Sequence, residues 1–187
     1  MKKTTSLCVA ALLAAATALS CSATTSGGTG SGSETPSGGS GVPDFTIDDM
    51  SGDEFHMAEH LGESVMLLNF WATWCEPCRV EMPHLDRLQQ EYRDQGLRIL
   101  CISMDGPDSV SEVRSRISRY DYSFTVLLDV ESEVTRQYNP RRAAPLNVLI
   151  DRSGSIVWTH EGYSPGDEIE LEQQIRAALG LGEASES

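Results

Sequence analysis

The feature that most constrains this chain is a junction. The run Val65-Met66-Leu67-Leu68-Asn69-Phe70 is followed almost at once by Trp74-Cys75-Glu76-Pro77-Cys78. A continuous apolar run of that length fits a central strand covered on both faces. A helix should begin near Cys75 and continue to about Gln95, since Met82, Leu85, Leu88 and Tyr92 recur at helical spacing. Pro83 should kink it. A buried strand feeding straight into a helix is an α/β signature, and here two cysteines occupy the first helical turn.

The flanking segments extend the pattern. Phe45-Thr46-Ile47 and Glu54-Phe55-His56, joined by the turn Ser51-Gly52-Asp53, predict a short N-terminal hairpin. Met57 to Leu61 predicts one or two helical turns closed by Gly62. Leu97 to Ile102 and Phe124 to Leu128 are strands. Asp108 to Tyr120 is a helix capped by Asp108 or Ser109, with Val110, Val113 and Ile117 inward, and Glu131 to Tyr138 is a short one. Leu146 to Ile150 and Ile156 to His160 flank the turn Asp151-Arg152-Ser153-Gly154, a hairpin signal. A last helix carries Ile169, Leu171, Ile175, Ala178 and Leu179 inward and ends at Gly180. The fold class predicted is α/β, with a mixed central sheet flanked by helices and an extra N-terminal hairpin.

The amino-terminal end reads as an address. Lys2 and Lys3 precede an uncharged stretch from Leu7 to Leu19, too short to span a bilayer but suited to a signal peptide. It runs into Ala18-Leu19-Ser20-Cys21, which resembles a bacterial lipobox, although Ala18 stands where Leu is usual and Leu19 comes one place late. Cys21 is the lipidation site on this reading; an ordinary signal peptide cut nearby is the alternative. From Ser22 to Gly41, 17 of 20 residues are Gly, Ser or Thr, a composition that cannot bury enough apolar surface to fold. As a tether it would reach about 25 Å. The predicted organisation is a lipoprotein-type signal peptide over 1–20, the lipidated cysteine and linker over 21–42, a folded domain over 43–182, and a tail over 183–187.

Charge narrows the partners. The chain has 28 Asp and Glu against 14 Lys and Arg. Both lysines lie in the predicted signal, so the remainder holds 12 arginines against 28 acids, a net charge of −16. Nucleic acid binding needs the opposite balance, and so does docking on an anionic leaflet.

The cysteines carry the chemistry. Two cysteines separated by two residues in the first helical turn can close a small disulfide ring and reopen it. Unpaired backbone N–H groups and the helix dipole stabilise a thiolate there, and Pro77 falls where its missing N–H is harmless. Cys75 is then the nucleophile and Cys78 the resolving thiol. Half of a zinc site looks the same, but there is no second CxxC to complete one, so no metal is expected. The redox-active disulfide is the only prosthetic element the chemistry needs. Cys101, between Leu100 and Ile102, reads as a buried inert thiol. His56 and His60, four apart, read as surface residues rather than metal ligands.

The stretch from Leu67 to Pro83, with Asn69, Trp71, Trp74-Cys75-Glu76-Pro77-Cys78 and Glu81-Met82-Pro83, resembles the membrane-anchored, thioredoxin-like disulfide reductases of the TlpA/ResA type. The likeness begins at Pro43-Asp44-Phe45 and continues through Gly52, Pro145, Val148-Leu149-Ile150-Asp151, Gly154 and the last helix. It implies a thioredoxin-like fold and a protein disulfide reductase, with Pro145 cis and facing the disulfide. Family members often have Thr after this proline, whereas Leu146 and Asn147 follow here. Cytoplasmic thioredoxins carry a buried aspartate where Asn69 stands. An amide cannot exchange the proton that the resolving thiol must lose, and Glu81, three residues after Cys78 on the same helical face, matches a glutamate of the anchored reductases that could do so. A solvated surface glutamate is the alternative. Trp74, Glu76 and Pro77 are tuning positions; the Glu76 carboxylate disfavours a thiolate beside it and so favours a reductant. Trp71 and Trp74 are expected mainly to pack, with Trp74 also shielding the disulfide.

The resemblance further implies a location on the outer side of a bacterial envelope membrane, held by the lipid, with electrons from a membrane dithiol donor. Substrates would be disulfide-containing envelope proteins, apocytochrome c among them. Two other chemistries are alternatives. A peroxiredoxin-like peroxidase would place Thr three residues before the reactive cysteine, where Ala72 stands. A Cu(I) carrier using Cys75 and Cys78 would be expected to have three residues between the cysteines and a late histidine ligand.

Overall fold

A computed structural model describes residues 41–182. The predicted signal peptide, Cys21, nearly all of the linker, and the C-terminal tail lie outside the described residues.

The first two strands, β1 (Thr46–Asp48) and β2 (Glu54–His56), pair antiparallel as a separate hairpin. Five further strands form the central sheet: β3 (Val65–Trp71), β4 (Leu97–Ser103), β5 (Thr125–Leu128), β6 (Leu146–Ile150) and β7 (Ile156–Glu161). Their spatial order is β5-β4-β3-β6-β7. β4 and β5 run parallel beside β3, whereas β6 and β7 run antiparallel. The sheet is therefore mixed, as expected. The helices are α1 (Glu76–Tyr92), α2 (Val110–Ile117), α3 (Glu133–Tyr138) and α4 (Asp167–Leu179).

β3 is buried at every residue, and its two faces feed two cores. Val65, Leu67 and Trp71 join Leu85 and Leu88 of α1, Val113 and Ile117 of α2, and Leu171 and Ile175 of α4. Met66, Leu68 and Phe70 join Phe45 and Phe55 of the hairpin region, Met57, and Val134 of α3. This is the period-two alternation of a strand with both faces covered. It places the end of β3, and so the start of α1, at one end of a sheet packed on both sides.

Several boundaries differ from expectation for local reasons. The expected helix from Asp108 splits into a 3-10 turn over Pro107–Ser109 and α2. Apolar periodicity stops at Ile117, and the Ser118 N–H closes the helix on Arg114. α3 starts two residues late because the Asp129 carboxylate takes the N–H groups of Val134 and Thr135, acting as a cap from outside the helix. Ile169, expected inward, is 62% exposed. α4 packs through Leu171, Ile175 and Leu179, spaced by four, and a residue two places before Leu171 falls on the opposite side. The helix ends as predicted, with Gly180 left-handed (φ 76°) and Leu181 N–H returning to the Arg176 carbonyl. α1 runs through Pro83 on its exposed side without interruption.

Candidate active site

Cys75 is the N-cap of α1, with an extended backbone, and its Sγ accepts from the Cys78 N–H at 3.2 Å. Pro77 sits in the first turn, where no N–H is missed. Cys75 and Cys78 are disulfide-bonded, their Cα atoms 5.4 Å apart. Both are buried in the core beneath the sheet, while the neighbouring Trp74 is 70% exposed. Trp71 packs as expected, fully buried. Trp74 does not: it lies at the surface and covers no part of the core. It lies within the turn in which the Cys75 N–H bonds to the Ala72 carbonyl, outside the strand whose faces are covered. Glu76 is exposed and ion-paired with Arg79.

The loop between β3 and Cys75 is held by a buried carboxylate. Asp105 accepts from the Thr73 N–H at 3.0 Å, from Thr73 Oγ1 at 2.6 Å and from Ser103 Oγ at 2.9 Å. The Met104 N–H bonds to the Trp71 carbonyl at 2.8 Å. The position of the first cysteine is thus fixed from the end of β4. Sequence reasoning missed Thr73, Ser103 and Asp105; the available signal was a short polar residue following each of two buried strands.

Glu81 lies one turn beyond Cys78 and is only 2% exposed. Its Oε2 accepts from Asn69 Nδ2 at 2.9 Å and its Oε1 from Asn147 Nδ2 at 2.5 Å. Asn69 Nδ2 also donates to Asn147 Oδ1 at 2.9 Å, while Asn69 Oδ1 has no donor. Burial raises the Glu81 carboxyl to about 7, opposed by the Asn147 and Asn69 hydrogen bonds and by His160, and assisted by Asp167. The surface-glutamate alternative does not hold. Sequence reasoning also missed the role of Asn147, although an amide inside Leu146-Asn147-Val148-Leu149-Ile150 mirrors Asn69 inside β3.

The Ala144–Pro145 peptide is cis. Leu146 pairs with Phe70, so Pro145 enters β6 at the end of the sheet from which β3 leaves toward Cys75. The Pro145 carbonyl accepts from the Gly162 N–H. Asn139, itself buried, holds the approach by accepting from the Ala143 N–H and donating to the Ala143 carbonyl. Cys75, Cys78, Glu81 and Pro145 therefore gather at one end of β3, with Glu76, Pro77 and Trp74 beside them.

Cys101 is fully buried, and burial pushes its thiol well above the usual range. His56 bonds to Thr46 through Nδ1, and His60 stacks on Phe55 at 4.8 Å. Among the described residues no group of three or more metal-binding side chains converges.

Residues 39–159 match the model of the AhpC/TSA family. Over 132 residues the chain is 30% identical to the thiol-disulfide oxidoreductase ResA of Bacillus thuringiensis subsp. konkukian, covering 71% of this chain and 74% of that protein. It is 35% identical over 133 residues to the thioredoxin-like protein YneN of Bacillus subtilis, covering 71% and 76%. A crystal structure from Chlorobium tepidum, assigned as thiol:disulfide interchange protein DsbE, superposes with a TM-score of 0.69 at 33% identity, over 76% of this chain and 97% of that one. A secreted Mycobacterium tuberculosis disulfide oxidoreductase superposes with a TM-score of 0.60 at 25% identity, over 71% and 95%.

Proposed function

The chain belongs to the AhpC/TSA family, with a thioredoxin-like fold and the thiol-disulfide oxidoreductase character of its ResA-type relatives, and from that premise we propose that it reduces protein disulfides outside the cytoplasm. The observation that carries the reading is the Cys75–Cys78 disulfide with a buried, amide-held Glu81 one helical turn deeper.

In this reading the Cys75 thiolate attacks a substrate disulfide. A Cys75–substrate bond forms, and the other substrate sulfur leaves as a thiolate and takes a proton. Cys78 passes its proton to Glu81 and attacks Cys75 Sγ. The Cys75–Cys78 bond closes, the second substrate sulfur is released, and two electrons have reached the substrate. Pro145 closes one side of the disulfide and keeps the adjacent backbone free to pair with the substrate polypeptide. The cycle needs no cofactor or metal beyond the disulfide.

The direction follows from charge. Glu81 and Glu76 both oppose a thiolate, Glu76 weakly because Arg79 holds it. Destabilising the reduced form makes the protein a better electron donor. Equilibration with glutathione buffers tests this: a potential near about −270 mV is expected, and one near about −120 mV, as in strong oxidants, overturns the reductase direction.

The location rests on the amino-terminal reading: signal over 1–20, lipid on Cys21, tether to 42. Similarity to a secreted oxidoreductase supports export. Among the described residues no helix is long and apolar enough to cross a membrane. Incorporation of labelled palmitate, lost in Cys21→Ser, is the expected result. A membrane dithiol would then supply electrons, and disulfide-bearing envelope proteins, including apocytochrome c with oxidised haem-attachment cysteines, would receive them. Trapping with Cys78→Ser, which stalls the mixed disulfide on Cys75, identifies them. Rapid peroxide consumption, or tight Cu(I) binding without disulfide reduction, would point instead to the peroxidase or carrier.

A further inference from the structure

Between α1 and α2, starting from the residue that follows Cys78, lies a cleft of about 350 Å³. α1 supplies Arg79, directly after Cys78, and Met82, one turn further. α2 and the residues after it supply Arg116, Arg119, Tyr120 and Tyr122. Three of the chain's 12 arginines thus meet here, in a protein whose acids outnumber its bases two to one. Their partners are unevenly distributed. Arg79 is held by Glu76, and Arg116 by Glu112, which also lines the cleft. Arg119 is exposed and makes no ion pair among the described residues, and Arg116 Nε has no acceptor. An arginine can only donate, so its unfilled hydrogen bonds call for an acceptor, best an anionic one.

Besides Ser115, the rest of the wall is built from two apolar and two aromatic side chains. Met82 and Ile117 are buried at the base. Tyr120 and Tyr122 stack with ring centres 5.1 Å apart, and Tyr122 stacks in turn on Phe124 at 4.7 Å. A simple anion has no use for such a floor, whereas an extended peptide with carboxylate side chains can lay its body on the rings and its charges on the guanidinium groups.

We propose that this cleft is a substrate subsite for an acidic segment flanking the disulfide of the target polypeptide. The proposal rests on the reductase reading and names the substrate class for it. A chain this acidic repels an acidic partner at a distance, so a local reversal of charge one residue from the resolving cysteine would fix both where and in which orientation such a partner docks.

The test uses the full chain and two peptides with the same internal disulfide, one flanked by glutamates and the other by glutamines, with neutral 2-hydroxyethyl disulfide as a small probe. The glutamate peptide is expected to show a kcat/KM about tenfold higher at low salt, a preference that shrinks as salt is added. Arg119→Glu should abolish the preference while leaving reduction of the small probe unchanged, and Arg116→Glu combined with Arg119→Glu should invert it. A cysteine-free glutamate peptide should bind the wild-type chain and bind Arg119→Glu several-fold more weakly, a readout independent of turnover. Equal rates on the two peptides, or a preference that survives Arg119→Glu, would overturn the subsite and leave the reductase reading intact. Failure to reduce any of the three disulfides would overturn the reductase reading itself, and the cysteine-free peptide would still decide the cleft.

Discussion

Asn69 and Asn147 stand directly opposite each other across β3 and β6, and each gives one amide N–H to a different oxygen of the same buried carboxylate, that of Glu81. A carboxylate has only acceptors to offer, so the two amides satisfy its ionised form. Burial pulls the other way, toward the protonated form. The balance leaves Glu81 at about 7, within reach of both states under ordinary conditions. A proton exchanger needs that property, and a glutamate either fully solvated or buried without partners would lack it.

Removing one amide should move the balance. Asn147→Leu deletes the 2.5 Å bond to Oε1 and leaves burial, Asn69, His160 and Asp167 as the remaining influences on Glu81. A hydrogen bond to a charged group is worth about 1.5–3 kcal/mol, so the Glu81 titration should rise by about one pH unit or more. The 13C shift of the Glu81 carboxyl carbon, followed through a pH titration, reads this directly. Its inflection is expected to move from near 7 to about 8 or above, and an unmoved inflection would remove Asn147 from the proton chemistry.

Glu81→Gln should separate two effects of the same carboxyl. Resolution of the mixed disulfide is expected to slow about a hundredfold and to lose its inflection near 7. Stability moves oppositely. Glu81 in the folded protein holds its proton up to about 7, against an ordinary value of 4.5, so between those limits the folded state binds more protons than the unfolded one. Its contribution to stability is present below 4.5 and falls away as pH rises through about 7, a loss of about 3 kcal/mol. Urea titrations at pH 4.5 and 8 should show wild-type stability declining relative to Glu81→Gln by about that amount. Parallel curves would mean that the carboxyl is not held in the protonated form by burial.

The fold was largely legible because its signals are periodic. β3 announces itself by an unbroken apolar run, α1 by Met82, Leu85, Leu88 and Tyr92, and the close of α4 by Gly180. The disulfide was legible because Cys75 and Cys78 are neighbours in sequence. Relationships that span the sheet were not. Asn69 and Asn147 are 78 residues apart, Thr73 and Asp105 are 32 apart, and nothing in either segment states which polar residue on one strand will face which on another. The errors at Ile169 and Trp74 share a cause: an apolar side chain carries no mark of which side of its backbone the core will occupy.

Asp105 should prove necessary for the placement of Cys75. It is buried and accepts from the N–H and the hydroxyl of Thr73 and from the hydroxyl of buried Ser103, so Asp105→Ala leaves three buried donors without that acceptor. The expected destabilisation is about 3 kcal/mol by urea unfolding. Asp105→Asn, which keeps one acceptor oxygen, should cost about half as much. A loss below about 1 kcal/mol for the alanine variant would show that water replaces the carboxylate and that the loop is held by other means.

Trp71 and Trp74 differ in chemistry only by position, and their truncation should divide stability from activity. Trp71 is fully buried against both α1 and the sheet, so Trp71→Ala is expected to cost about 3–5 kcal/mol. Trp74 is 70% exposed, and loss of an exposed ring outside the core should change stability by no more than about 0.5 kcal/mol. Its place is next to the nucleophile, where an approaching polypeptide must lie across it, and exposed tryptophans at such positions commonly contribute more than 1 kcal/mol to binding. Trp74→Ala should therefore lower kcat/KM for a polypeptide disulfide about tenfold while leaving reduction of 2-hydroxyethyl disulfide nearly unchanged. Equal losses on both substrates would assign Trp74 to the disulfide's own environment rather than to the partner.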